Sequence, residues 1–123
     1  MGVVNLNEQT FEATVAADGI VLVDWWASWC GPCRMFGPVF EAATATHEDI
    51  VFAKVDTEAN PGLSAMAGIT SIPTLMVFRD NVLLYSQPGA LAPAALEDLI
   101  RRVRALDMEQ IHQEVRAQAA GRP

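Results

Sequence analysis

Ile20-Val21-Leu22-Val23-Asp24-Trp25-Trp26-Ala27, which ends just short of Trp29-Cys30-Gly31-Pro32-Cys33, is the stretch on which the reading of this chain turns. Its first part is a continuous apolar run, the pattern of a strand covered on both faces of a sheet. Its second part contains both cysteines of the chain. At a helix start, two sulfurs three positions apart have β-carbons about 5–6 Å from each other, close to the span of a disulfide. A structural staple gains by closing a long loop. This pair closes almost none, so the spacing predicts a redox switch.

Thiol–disulfide exchange needs an attacking thiolate and a second thiol placed to displace it. A helix N-terminus favours the thiolate and brings a free-cysteine pKa of about 8.5 down to around 7. Cys30 would sit at that end, and Cys33, one turn further in, would be buried and suited to resolve a mixed disulfide. Gly31 allows a partner backbone to approach, Pro32 suits a first helical turn, and Trp29 offers flat apolar surface. Zinc wants four ligands, and the remaining candidates, His47 and His112, lie far apart in sequence. A haem attachment site would need histidine where Arg34 stands. Two inert core cysteines are the remaining alternative.

With 123 residues the chain fits one domain. No apolar run approaches the roughly 20 residues of a membrane span. The start, Met1-Gly2-Val3-Val4-Asn5, has no signal-peptide pattern, and Leu6 stands where a myristoylation motif would need Ser or Thr. A cytoplasmic location is therefore expected. The net charge of −7 is uneven: residues 1–96 hold ten acids against Arg34, Lys54 and Arg79, whereas 97–123 balance five acids with five arginines. An acidic body argues against nucleic-acid binding, which relies on clustered basic residues.

Asn7 is expected to cap a first helix, with Leu6 stapled onto Phe11. A second helix is expected over 31–46, kinked at Pro38. Ile50-Val51-Phe52-Ala53-Lys54-Val55 predicts a buried strand, and Asn60-Pro61 the start of a short helix ending near Gly68. Thr74-Leu75-Met76-Val77-Phe78 and Val82-Leu83-Leu84-Tyr85 flank Asp80-Asn81 as a hairpin. Pro93 opens a helix with Leu96, Leu99, Ile100 and Val103 at helical spacing. These elements give an α/β fold with a mixed sheet.

Asp24 is costly to bury in such an apolar run, and desolvation should raise its pKa. Either it reaches solvent at a strand end, or it exchanges a proton with Cys33. Lys54, the only lysine, either snorkels outward or pairs with Asp24 from the adjacent strand. Pro73, at a strand entrance, removes a backbone donor and leaves Ile72 or Thr74 to pair with an extended peptide. The isomer of the Ile72-Pro73 bond is not legible in sequence.

Taken together, Val23-Asp24-Trp25-Trp26-Ala27, Trp29-Cys30-Gly31-Pro32-Cys33-Arg34, Pro38, Ala53-Lys54-Val55-Asp56, Asn60-Pro61, Ile72-Pro73-Thr74 and Gly89-Ala90-Leu91 resemble a bacterial-type thioredoxin from about Leu6 to Arg104. The resemblance implies the thioredoxin fold: a mixed five-stranded central sheet flanked by helices on both faces. It implies Cys30 as attacking thiol, Cys33 as resolving thiol, Asp24 as the buried acid with Lys54 as its partner, and Pro73 as the cis-proline. Trp29, Gly31, Pro32, Ile72, Pro73, Gly89 and Ala90 match the surface where substrates dock. No cofactor would be bound. The redox-active disulfide Cys30–Cys33 would receive electrons from NADPH through a flavoprotein thioredoxin reductase.

Four features depart from that family. Asp80-Asn81 replaces an Asn-Gly-type turn, so a longer or more strained turn is expected. Pro88 precedes Gly89 and stiffens the docking loop. Val82-Leu83-Leu84-Tyr85 is unusually apolar, so part of it should be covered. A C-terminal extension, 107–123, follows a thioredoxin domain over 1–106. Within it Asp107 as cap, Gln110 reaching back and Leu106 stapled to Ile111 predict a separate helix near 108–118, a candidate for that cover. The competing expectation is a continuation of the preceding helix; Ala, Gln and Gly at 117–121 suggest a frayed end.

The expected function is a cytoplasmic, monomeric protein-disulfide reductase whose partners are thioredoxin reductase and disulfide-containing proteins, without nucleic acid or membrane. The alternatives are a dithiol oxidant or isomerase, and a binding module that works regardless of redox state.

Overall fold

Alternate residues of β2 (Ile20–Trp26) enter two different cores, and this divides the molecule into layers. The computed structural model describes residues 2–121. Ile20 and Leu22 pack with Phe36 and Phe40 of α2 (Gly31–Ala43) and with Leu96 and Ile100 of α4 (Pro93–Arg104). Val21, Val23 and Trp25 pack on the opposite face with Val15 of α1 (Phe11–Ala16) and Leu63 of α3 (Pro61–Met66). The period of two along a strand produces this split.

The remaining strands are β1 (Val4–Asn5), β3 (Val51–Asp56), β4 (Thr74–Arg79) and β5 (Val82–Pro88), in the spatial order β1-β3-β2-β4-β5. β1 and β2 run parallel to β3, whereas β2–β4 and β4–β5 are antiparallel. This is the mixed five-stranded sheet of the thioredoxin fold. β1 lies outside the expected pattern because two exposed residues carry no periodicity; its place is set by pairing with Ala53 and Lys54.

Several local expectations need correction. Asn7 accepts from the N–H groups of Gln9 and Thr10, so it closes a turn one step ahead of α1 instead of capping it. Leu6 and Phe11 nevertheless join the same core cluster. Helix α2 runs on through Pro38 and ends at Ala43, short of residue 46. The Asp80-Asn81 turn is not lengthened: both residues take positive φ, 50° and 66°, which their short polar side chains tolerate. Asp80 Oδ1 also accepts from the Gly19 N–H at 2.8 Å, anchoring the turn.

The extension forms a separate helix, α5 (Met108–Ala120), with Asp107 as N-cap accepting from the Gln110 N–H. Gln110 does not reach back; its side chain donates to Glu114. The helix runs through Ala120, and residues 122–123 lie outside the described residues. The cover of β5 also has a different origin. A bulge between the pairs Val77–Tyr85 and Phe78–Leu83 leaves Leu84 unopposed, and Leu84 and Tyr85 both pack on the α2/α4 core. Leu83 stays 48% exposed. Helix α5 instead meets the hairpin turn, where His112 Nε2 lies 3.2 Å from the Asp80 carbonyl oxygen.

Candidate active site

The C-terminal end of β2 delivers the chain into the helix that bears both cysteines. Cys30 is the N-cap of α2, with extended backbone, and its Sγ accepts from the Cys33 N–H at 3.2 Å. Capping by sulfur leaves the first helical amides directed at Cys30, where a developing thiolate is stabilised. Cys30 and Cys33 form a disulfide, with Cα atoms 5.2 Å apart, and both are buried. Gly31 and Pro32 fill the first turn. Arg34 donates to the Ser28 carbonyl at 2.9 Å, tying the approach loop to the helix.

Two further loops close on the sulfurs. The Ile72-Pro73 bond is cis, and the Ile72 carbonyl oxygen lies 3.6 Å from Cys30 Sγ. Gly89, with φ of 110°, donates its N–H to the Pro73 carbonyl at 2.8 Å, bringing the exposed Gly89-Ala90 loop beside the proline. Trp29 is 65% exposed on the other side. Between Trp29 and Ile72 runs an open groove of about 180 Å³ whose walls include Ser64, Ile69 and Thr70. Trp29, Gly31 and Pro32 thus adjoin the cysteines in the chain, Ile72 meets Cys30, and Gly89 is bonded to Pro73. Ser64, Ile69 and Thr70 were not singled out from sequence; a helix end and a loop of small residues carry no motif.

In β2, which leads into this site, Asp24 is fully buried, and neither oxygen has a hydrogen-bond partner among the described residues. Burial pushes its carboxyl up to about 6, against the opposing pull of Lys54. The alternative that Asp24 reaches solvent at a strand end is thereby removed. Lys54 does stand opposite Asp24 in the β2–β3 register, but the two form no ion pair. The expected contact is corrected: the Lys54 ammonium sits 4.9 Å from the centroid of the Trp26 ring. Contact with a fully buried carboxylate would strip the ammonium of water, a cost that the ring face avoids. Trp26 was quoted above only as a landmark, and an aromatic two positions after a buried acid is the signal that could have marked it.

Among the described residues, no cluster of three or more His, Cys, Asp or Glu could hold a metal ion, and no helix is long and apolar enough to cross a membrane.

The thioredoxin family model matches residues 2–102. A putative thioredoxin 2 of Streptomyces coelicolor is 50% identical over 117 residues, covering 95% of this chain and 87% of that protein. A thioredoxin of Alicyclobacillus acidocaldarius is 39% identical, covering 78% of this chain and 96% of its own. Among solved structures, the Malassezia sympodialis thioredoxin Mala s 13 superposes with a TM-score of 0.74 at 30% identity, covering 83% of this chain and 93% of that one.

Proposed function

The chain belongs to the thioredoxin family of protein-disulfide reductases, and from that premise we propose how its residues divide the work: Cys30 attacks, Cys33 resolves and Asp24 carries the proton. The Cys30 thiolate attacks one sulfur of a substrate disulfide, forming a mixed disulfide as the substrate bond breaks and a substrate thiolate leaves. Asp24 accepts the Cys33 proton. The Cys33 sulfur then attacks Cys30 Sγ, closes the internal disulfide and releases the second substrate thiolate. Two electrons have passed from the dithiol to the substrate. NADPH, through a flavoprotein thioredoxin reductase, restores the dithiol.

The observation that carries this reading is the placement of Cys30 Sγ at the N-terminus of α2 and beside the Ile72 carbonyl. An extended substrate segment laid along Ile72-Pro73, with Trp29 and Gly89-Ala90 on its flanks, would bring its own disulfide to Cys30. Residues 1–106 form the redox domain in this reading and 107–123 an appended helix. The protein acts as a cytoplasmic monomer.

Replacing Cys33 with Ser tests the division of labour. The variant should accumulate a covalent adduct with a disulfide-bonded test protein, with Cys30 as the linked residue in peptide mass spectrometry. An adduct through Cys33 in the reciprocal Cys30→Ser variant, and none through Cys30, would overturn it. Reduction of the same protein with NADPH and a thioredoxin reductase tests the electron source.

A further inference from the structure

We propose that Trp26 is a positioning residue for the reaction: its indole face holds the Lys54 ammonium within electrostatic range of Asp24, in a space that Gly37 leaves open. The inference rests on the proton-carrying role of Asp24 given above. Its geometric basis is independent of that role.

Asp24 and Lys54 are register partners on neighbouring strands, and each lies two positions from a residue of the α2/α4 core, Leu22 and Phe52 respectively. Both side chains therefore leave the sheet on the face that α2 covers. A lysine here, half-buried at a strand next to the two-residue β1, would ordinarily extend into water. Water is at hand on two sides. One cavity that Lys54 lines also contains Asn5, Glu41 and Thr44; another contains Asn7, Trp26 and Asp56. The ammonium nevertheless lies over Trp26. Above it passes Gly37 of α2, where an added β-carbon would stand 3.7 Å from Nζ. Any side chain longer than a methyl would contest the ammonium's place.

The charged groups that line these cavities beside Lys54 are Glu41 on α2 and Asp56 on β3; β1 contributes Asn5, and β4 places Leu75 opposite Asp24. Glu41 and Asp56 border the solvent cavities and would draw a released ammonium outward. With the ring gone, Lys54 moves toward them, and Asp24 loses most of its one nearby counter-charge. Trp26 thus fixes how readily Asp24 takes up and returns a proton.

The test is the titration midpoint of the Asp24 carboxyl in the reduced protein, followed by its carbon-13 shift. Lys54→Met raises the midpoint. Trp26→Leu should raise it in the same direction by roughly half a pH unit, Trp26→Phe should stay nearer the native value, and Trp26→Leu with Lys54→Met should match Lys54→Met alone. A Trp26→Leu shift that persists undiminished in the Lys54→Met background, or no shift at all, overturns the inference. Should Trp26→Leu fail to fold, the native protein decides: as the only lysine, Lys54 should show ring-current-shifted ε-methylene protons, and ordinary shifts there overturn the inference. The underlying reading is tested separately by Asp24→Asn. If that variant resolves mixed disulfides with an unaltered pH profile, the proton-carrying role fails, and Trp26 has no part in the reaction wherever Lys54 sits.

Discussion

Asp24 and Lys54 face each other across the parallel β2–β3 pair, yet the lysine rests on Trp26 and the buried carboxylate has no hydrogen-bond partner among the described residues. The fold thus holds a group that is costly to ionise in the strand that leads into the cysteine-bearing helix. That cost is measurable.

The Asp24 carboxyl is raised from 3.8 to about 6 in the folded chain. Between those values the folded state keeps a proton that the unfolded state releases, so stability falls as pH rises through the window and the full penalty applies above it. Asp24→Asn should therefore raise the unfolding free energy by about 1–3 kcal/mol at pH 7.5. The gain should vanish below pH about 3.8, where both states of the native residue are protonated. Denaturant unfolding at several pH values checks the prediction. The same variant should slow resolution of the mixed disulfide.

Gly89 holds the Gly89-Ala90 loop with a φ of 110° while donating to Pro73. A β-carbon meets no neighbour there, so the effect of Gly89→Ala comes from the backbone alone. The strain should cost roughly 1–2 kcal/mol. Relaxation of the loop should raise KM for protein substrates more than it lowers kcat. Steady-state kinetics with a protein disulfide separates the two.

Side chains tie α5 and the turn before it to the rest of the chain. Met108 is 8% exposed, His112 meets the Asp80 carbonyl, and Arg79 reaches across to the carbonyls of Val103, Arg104 and Leu106. Met108→Ala should destabilise the chain by about 2 kcal/mol and loosen amide protection in α5 before the sheet. Disulfide reduction should be unchanged, because none of the site residues described above belongs to α5. Hydrogen exchange followed by mass spectrometry gives the order of opening.

The strands and helices that bury a regular pattern were legible: the apolar run of β2, the Leu96–Ile100–Val103 stripe of α4 and the Asp107 cap of α5 all stand where their chemistry places them. The site's covalent centre was legible for the same reason, since Cys30 and Cys33 are a local pair. What escaped was decided by non-local contacts. β1 exists because β3 offers an edge, Leu84 faces the core because of a bulge, and Lys54 bypasses Asp24 because a neighbouring ring accepts it. Local spacing carries no information about those choices.

The central claim, a dithiol poised to give electrons to protein disulfides, is tested most directly by the reduction potential of the Cys30–Cys33 pair, measured by equilibration against a glutathione buffer. The account predicts a value near the roughly −270 mV typical of thioredoxins. A potential of about −120 to −180 mV, the range of dithiol oxidants and isomerases, would contradict it.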